Sequence, residues 1–96
     1  MDARLIKDER VPLAENAFVR IRIWDVPEPV DPSTHYYKYS LAYVVNQICV
    51  IRFDNERGKG DHIHFGDIER NYAFTTYQQL LNDFWREVRA WNNKPQ

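Results

Sequence analysis

The 96-residue chain has one cysteine, Cys49. Without a second thiol no internal disulfide can brace the fold, and a reducing, cytoplasmic setting fits. Cys49 lies in an apolar run and reads as a buried, inert thiol. Long apolar runs are missing as well. No stretch approaches the length of a membrane span. The N-terminus carries Asp2, Arg4, Lys7, Asp8, Glu9 and Arg10 where a signal peptide would be apolar. Charge of one sign is also lacking: 13 Lys and Arg stand against 14 Asp and Glu. That balance argues against a domain whose whole surface binds nucleic acid. It leaves room for a local basic site, for which Arg20, Arg22, Arg52, Arg57 and Lys59 are candidates. Glycine is scarce, with three residues, and two of them, Gly58 and Gly60, fall in one short segment. There are no internal repeats and no low-complexity tract.

Aromatic residues are abundant, with three Trp, six Tyr and five Phe. A single domain over 1–96 of this size buries about two-thirds of its unfolded surface, so large rings are an efficient way to fill a thin core. A minority can remain as a contact patch.

Residues 3–8 read as a short first strand, broken at Val11-Pro12. From Asn16 to Val26, Val19, Ile21 and Ile23 alternate with Arg20, Arg22 and Trp24, a period of two with an apolar row and a basic row. Alternating cations on an edge strand deter edge pairing. The same row can guide a phosphate backbone, with Trp24 as a stacking platform. Pro27, Pro29 and Pro32 exclude regular structure through about Ser33. His35 to Val45 is a tyrosine-rich strand with Tyr37, Tyr39, Leu41, Tyr43 and Val45 on one face. Asn46-Gln47 suits a two-residue turn. Ile48 to Phe53 is the next strand, with Cys49, Ile51 and Phe53 on one side. His62 to Phe65 begins a further short strand ended by Gly66-Asp67. Last comes a helix. Thr75 and Thr76 are both good N-caps with Gln78 and Gln79 three positions on. Tyr77, Leu81, Phe84, Val88 and Trp91, flanked by Leu80 and Trp85, form its apolar stripe, and Asn92-Asn93-Lys94-Pro95 ends it. The expected fold is α+β: an antiparallel sheet of four to five strands with the C-terminal helix packed on one face. A partner or a second subunit would cover what the helix leaves open, with Trp85 or Trp91 reaching into such an interface.

The chemistry concentrates in residues 54–64, expected to be a polar loop carried on a strand edge. It holds Asp54, Asn55, Arg57, Gly58, Lys59, Gly60, Asp61, His62 and His64. On a strand, His62 and His64 point the same way, roughly 7 Å apart at the backbone. Three readings follow. In one, His62 and His64 together are the acid and base of metal-independent RNA cleavage, needing no cofactor. Asp54 or Asp61 orients an imidazole, Lys59, Arg57 or Arg52 stabilises the charged phosphorane, and the Gly58 and Gly60 backbones, with Asn55 beside them, approach phosphate. In the second, His62, His64 and Asp54, Asp61 or Asp67 bind a divalent metal. In the third, the segment is a solvated hairpin and its histidines are polar surface. Gly58-Lys59-Gly60 is not a P-loop, for no Ser or Thr follows the lysine.

At these residues the chain resembles the TumE family of toxins from toxin–antitoxin pairs, over nearly its whole length. The resemblance is carried by Ala3 to Asp8, Ala17 to Pro27, His35 to Val45, Phe84-Trp85 and above all Arg52 to His64. Phe53 departs from the pattern, where a tyrosine is common. The resemblance implies a cytoplasmic growth inhibitor that acts on RNA and is held inactive by a helix-turn-helix, TumA-like antitoxin. The roles given above to His62, His64, Asp54 and Asp61 do not come from the resemblance. A different class of function, a module that occupies nucleic acid or protein without chemistry, competes with it.

Overall fold

A computed structural model describes residues 2–94. Six strands form one sheet: β1 (Arg4–Ala14), β2 (Ala17–Asp25), β3 (Tyr37–Val45), β4 (Ile48–Glu56), β5 (Gly60–Phe65) and β6 (Ile68–Asn71). Helix α1 (Tyr77–Asn92) follows. The sheet is a meander in chain order and antiparallel throughout. The architecture is the expected one, but with six strands in place of four to five. The additional strand is β6, whose four residues are all exposed. It has no apolar face, so no alternating pattern announces it.

The centre of the sheet follows the period of two. Val19, Ile21 and Ile23 on β2 pair with Tyr43, Leu41 and Tyr39 on β3, and all six are at most 2% exposed. Asn46 and Gln47 have φ of 51° and 67°, so both residues of the β3–β4 turn are left-handed, as the tightest hairpins require. β1 runs through Pro12 instead of stopping there. It is an edge strand, where a missing N–H is tolerated, and register shifts beside Ile6 and Leu13 absorb the irregularity. β2 is consequently an interior strand, and its arginines do not guard an edge. Cys49 is exposed and not buried. A register shift at Val50 pairs Tyr43 with Ile51 but Val44 with Cys49. The bulge takes Cys49 out of the row of Ile51 and Phe53.

α1 begins at Thr76, whose hydroxyl accepts the Gln79 N–H at 3.0 Å. It buries Leu80, Phe84 and Val88, one residue per turn. Phe84 meets Phe53 edge-on, with ring centroids 5.5 Å apart. Trp91 meets Tyr43 in the same way, and the Tyr43 hydroxyl donates to Asn92 Oδ1 at 2.6 Å. Asn93 caps the C-terminus, while Pro95 lies outside the described residues. Among those residues, no helix is long and apolar enough to cross a membrane.

One helix is thus pinned to one face of the sheet through Leu80, Phe84 and Val88, of which Phe84 is the largest. Phe84→Ala is expected to destabilise the protein by about 3–5 kcal/mol. Urea unfolding checks this, and a loss under about 1 kcal/mol would mean that α1 is not what closes the core.

Candidate functional site

The segment expected as a polar loop is mostly strand. β4 continues to Glu56, β5 starts at Gly60, and only Arg57, Gly58 and Lys59 turn between them. Asp54 pairs with His62, Arg52 with His64, and Asn55 with Asp61. Strand alternation then divides the motif between the two faces of the sheet.

Arg52, Asp54, His62 and His64 share the face opposite α1. His62 is 2% exposed and Asp54 8%. His62 Nε2 lies 2.9 Å from Asp54 Oδ1, and His64 Nε2 lies 3.7 Å from the same oxygen. Arg52 Nε sits 3.0 Å from Asp54 Oδ2. None of these contacts is aligned as a hydrogen bond. Arg52 Nε, Asp54 Oδ1, His62 Nε2 and His64 Nε2 are all buried without a hydrogen-bond partner. Each such group costs about 1–3 kcal/mol, so four converging on one point mark a place organised for something else. The other nitrogen of His62 is fixed, since Nδ1 lies 2.8 Å from the Gly60 carbonyl. A carbonyl only accepts, so Nδ1 carries the proton.

Lys59 and Glu69 form the rim with an ion pair of 3.0 Å. Their hydrogen bond holds the Lys59 ammonium above and the Glu69 carboxyl below its ordinary range. Glu69, opposite His64 on β6, reaches within 3.6 Å of His62 Nε2. No alternating pattern in the sequence marks Glu69, because every residue of β6 is exposed.

Asp61 is on the other face and cannot orient either imidazole. Its carboxylate accepts from Ser33 Oγ at 2.5 Å, Tyr39 Oη at 2.7 Å and His35 Nε2 at 2.7 Å. His35 Nδ1 takes the Tyr37 N–H, so its proton is on Nε2, facing the carboxylate. The ring also stacks on Phe74, with centroids 3.7 Å apart. Asn55 belongs to this network too. It is fully buried, accepts from the Tyr39 N–H and donates to the Tyr37 carbonyl and Ser33 Oγ. Its amide is spent on the fold, out of a substrate's reach. Neither glycine cradles phosphate. The Gly58 N–H is bonded to the Asp31 carbonyl at 2.7 Å, and Gly60, at φ +78°, stands where a Cβ would press on Pro32. Arg57 is exposed in the turn. Asp67, the third carboxylate weighed for a metal, lies in the β5–β6 turn outside the cluster.

Two cross-sheet rows lead to the open-face cluster. Asp8, Arg22, Ser40, Asp54, His62 and Asn71 are successive partners in one, and Arg10, Arg20, Ala42, Arg52, His64 and Glu69 in the next. A family model described as Toxin TumE matches residues 2–92. The chain belongs to the TumE toxin family. This makes it the toxin of a toxin–antitoxin system, with an antitoxin as partner. No curated protein and no solved structure matches it. The toxin therefore carries two polar centres back to back, one saturated with hydrogen bonds and one not.

The saturated centre has a pH signature. Burial opposes the charged form of Asp61, yet the donors His35, Ser33 and Tyr39 outweigh it and hold the carboxyl below its ordinary value of 3.8. A pKa lowered by folding gives stability that is present above 3.8 and is lost as pH falls through the folded value. Asp61→Asn turns an amide NH₂ towards groups that donate. It is expected to cost about 1.5–3 kcal/mol at pH 7, with the gap to the wild type closing below pH 3.8. A gap that stays constant from pH 7 to pH 2 would assign the loss to packing instead.

Proposed function

We propose that this toxin inhibits growth by cutting RNA in the cytoplasm, with the reactive centre at Asp54, His62 and His64 on the open face. A helix-turn-helix antitoxin holds it inactive by covering that face. The observation that carries the reading is the set of four buried, unpartnered polar atoms at one end of a cationic row.

The row supplies what a polyanion needs. Arg22 is exposed, two strands from Asp54 along its row, a separation of roughly 10 Å across the sheet. It lies over Trp24 at 5.3 Å, so a cation and an aromatic face adjoin where a base could stack as its phosphate is held. Arg20 is tied to Asp8 at 2.8 Å and Arg22 reaches the same carboxylate oxygen more loosely, at 3.7 Å, so Arg22 and Arg52 are the phosphate contacts nearer the centre. Arg52 is 40% exposed at its side chain and His64 20%, against 2% for His62. Substrate therefore meets Arg52 and His64 directly, while His62 works from beneath. Lys59 and Arg57 border the approach from the turn. Near-zero net charge agrees with a local track in place of a wholly basic surface.

RNA 5′ ends mapped after brief induction in cells, then with purified toxin, test this. Asp54→Asn and His64→Ala are each expected to lower cleavage by about 10²-fold or more. Arg22→Ala is expected to weaken RNA binding with a smaller effect on the cut itself. Growth arrest with intact RNA would replace cleavage by a toxin that only occupies its target.

A further inference from the structure

We propose that Asp54, His62 and His64 bind one divalent transition-metal ion of the zinc class, with Asp54 as the carboxylate ligand. As a cofactor for cleavage the ion rests on the RNA reading above; as a binding site it stands alone.

The first support is convergence. One ligand atom from each of the three residues lies within 4.8 Å of the others. Donors bound to one ion at about 2.0–2.2 Å stand close together in this way. A metal-free acid and base would have to do the opposite. In-line displacement puts the attacking and leaving oxygens on opposite sides of phosphorus, so the two proton carriers must straddle it. Imidazoles whose ring centroids are 4.6 Å apart, both aimed at one carboxylate oxygen, do not straddle a phosphate. The expected pairing of His62 and His64 as acid and base is therefore not the arrangement these side chains form.

The tautomer is the second support. With the Nδ1 proton of His62 committed to the Gly60 carbonyl, the neutral ring presents a bare Nε2 lone pair 2.9 Å from the lone pairs of Asp54 Oδ1. In that neutral form two acceptors face each other inside the protein. A cation between them turns that conflict into coordination. Metal-bound histidines characteristically give their second N–H to a carbonyl or carboxylate. His62 does so, and His35 shows the contrast: its Nε2 proton faces its aspartate and the pair is complete without an ion.

The surroundings fit the same role. Arg52 stands beside Oδ2 of Asp54, leaving Oδ1 for the ion. Two imidazoles with one carboxylate favour zinc, iron, cobalt or nickel over magnesium or calcium, which prefer oxygen alone. Three protein ligands would leave coordination positions for water or a phosphate oxygen. An ion there would draw charge from a phosphoryl oxygen. Glu69 borders the site and can take up a proton or close a fourth position.

The test is direct metal binding by the full chain. Toxin stripped with EDTA is titrated with Co²⁺, read by its visible absorption, and with Zn²⁺ by calorimetry. Expected is one ion per chain, with Asp54→Asn and His64→Ala each lowering affinity by about 100-fold or more. His35→Gln, the only other histidine, is expected to bind as the wild type does. Circular dichroism confirms that each variant is folded, and buried His62 is left intact for that reason. The proposal is overturned if folded wild type binds none of Zn²⁺, Co²⁺ or Mn²⁺ at one per chain, or if neither ligand variant weakens binding. RNA cleavage is followed on the same preparations. An ion bound by these residues in a toxin that cuts no RNA would keep the site and remove the nuclease reading. Ion-free toxin cutting at the full rate would keep the nuclease and overturn the ion as its cofactor.

Discussion

The two-residue period of the strands governs this molecule, because α1 closes only one face of the sheet. Away from the bulge at Val50, residues of β2 to β5 go either beneath the helix or to the opposite face, and neighbours in sequence go opposite ways. Ile21 and Arg22, Phe53 and Asp54, and Asp61 and His62 are all parted in this manner. A stretch of chain that looks like one polar cluster is therefore two clusters separated by the thickness of a sheet. The packing of Leu80, Phe84 and Val88 onto the apolar row sets the side on which each catalytic candidate falls.

Those two clusters differ in their hydrogen bonds more than in their composition. Each combines histidine with aspartate. Around Asp61 every donor has an acceptor, and the carboxylate lies at the end of converging Ser33, His35 and Tyr39 bonds. Such a network stabilises the fold because nothing in it remains unsatisfied. Around Asp54 the same residue types meet without aligned bonds. A sheet able to build the first arrangement on one face has no structural need for the second on the other. The cost of the second is tolerable where a ligand or a reaction uses the unspent atoms.

Part of this was legible in the sequence. The alternation of Val19, Ile21 and Ile23 placed the apolar row, Asn46-Gln47 marked the turn, and Thr76 with Gln79 marked the helix start. The same-face placement of His62 and His64 also followed from their spacing. Other features were hidden for identifiable reasons. β4 runs on through Asp54 and Asn55, polar residues that read as a loop because their partners are distant. Tyr39 lies 16 residues from Asn55, and His35 lies 26 from Asp61. No local pattern reports such pairings. A bulge at Val50 exchanged the side of Cys49, and one inserted residue is enough to defeat a parity argument. β6, exposed throughout, hid Glu69.

The proline-rich connector also acquires a purpose that its composition did not suggest. Its Asp31 carbonyl takes the Gly58 N–H, and Pro32 stands so near Gly60 that a side chain there would meet it at 3.2 Å. The connector thus sets the path of the β4–β5 turn. Gly60 in turn offers the carbonyl that takes the Nδ1 proton of His62, and that proton determines which lone pair faces Asp54. A single line of contacts runs from a loop with no regular structure, through a glycine where a Cβ would crowd Pro32 and strain the backbone, to the Nδ1 hydrogen bond of a buried imidazole. Residues 27–33 carry no side chain into the open-face cluster, yet the orientation of His62 there depends on where they hold the turn. That dependence gives both glycines of the Arg52 to His64 segment a structural role, Gly58 through its N–H to Asp31 and Gly60 through its carbonyl to His62.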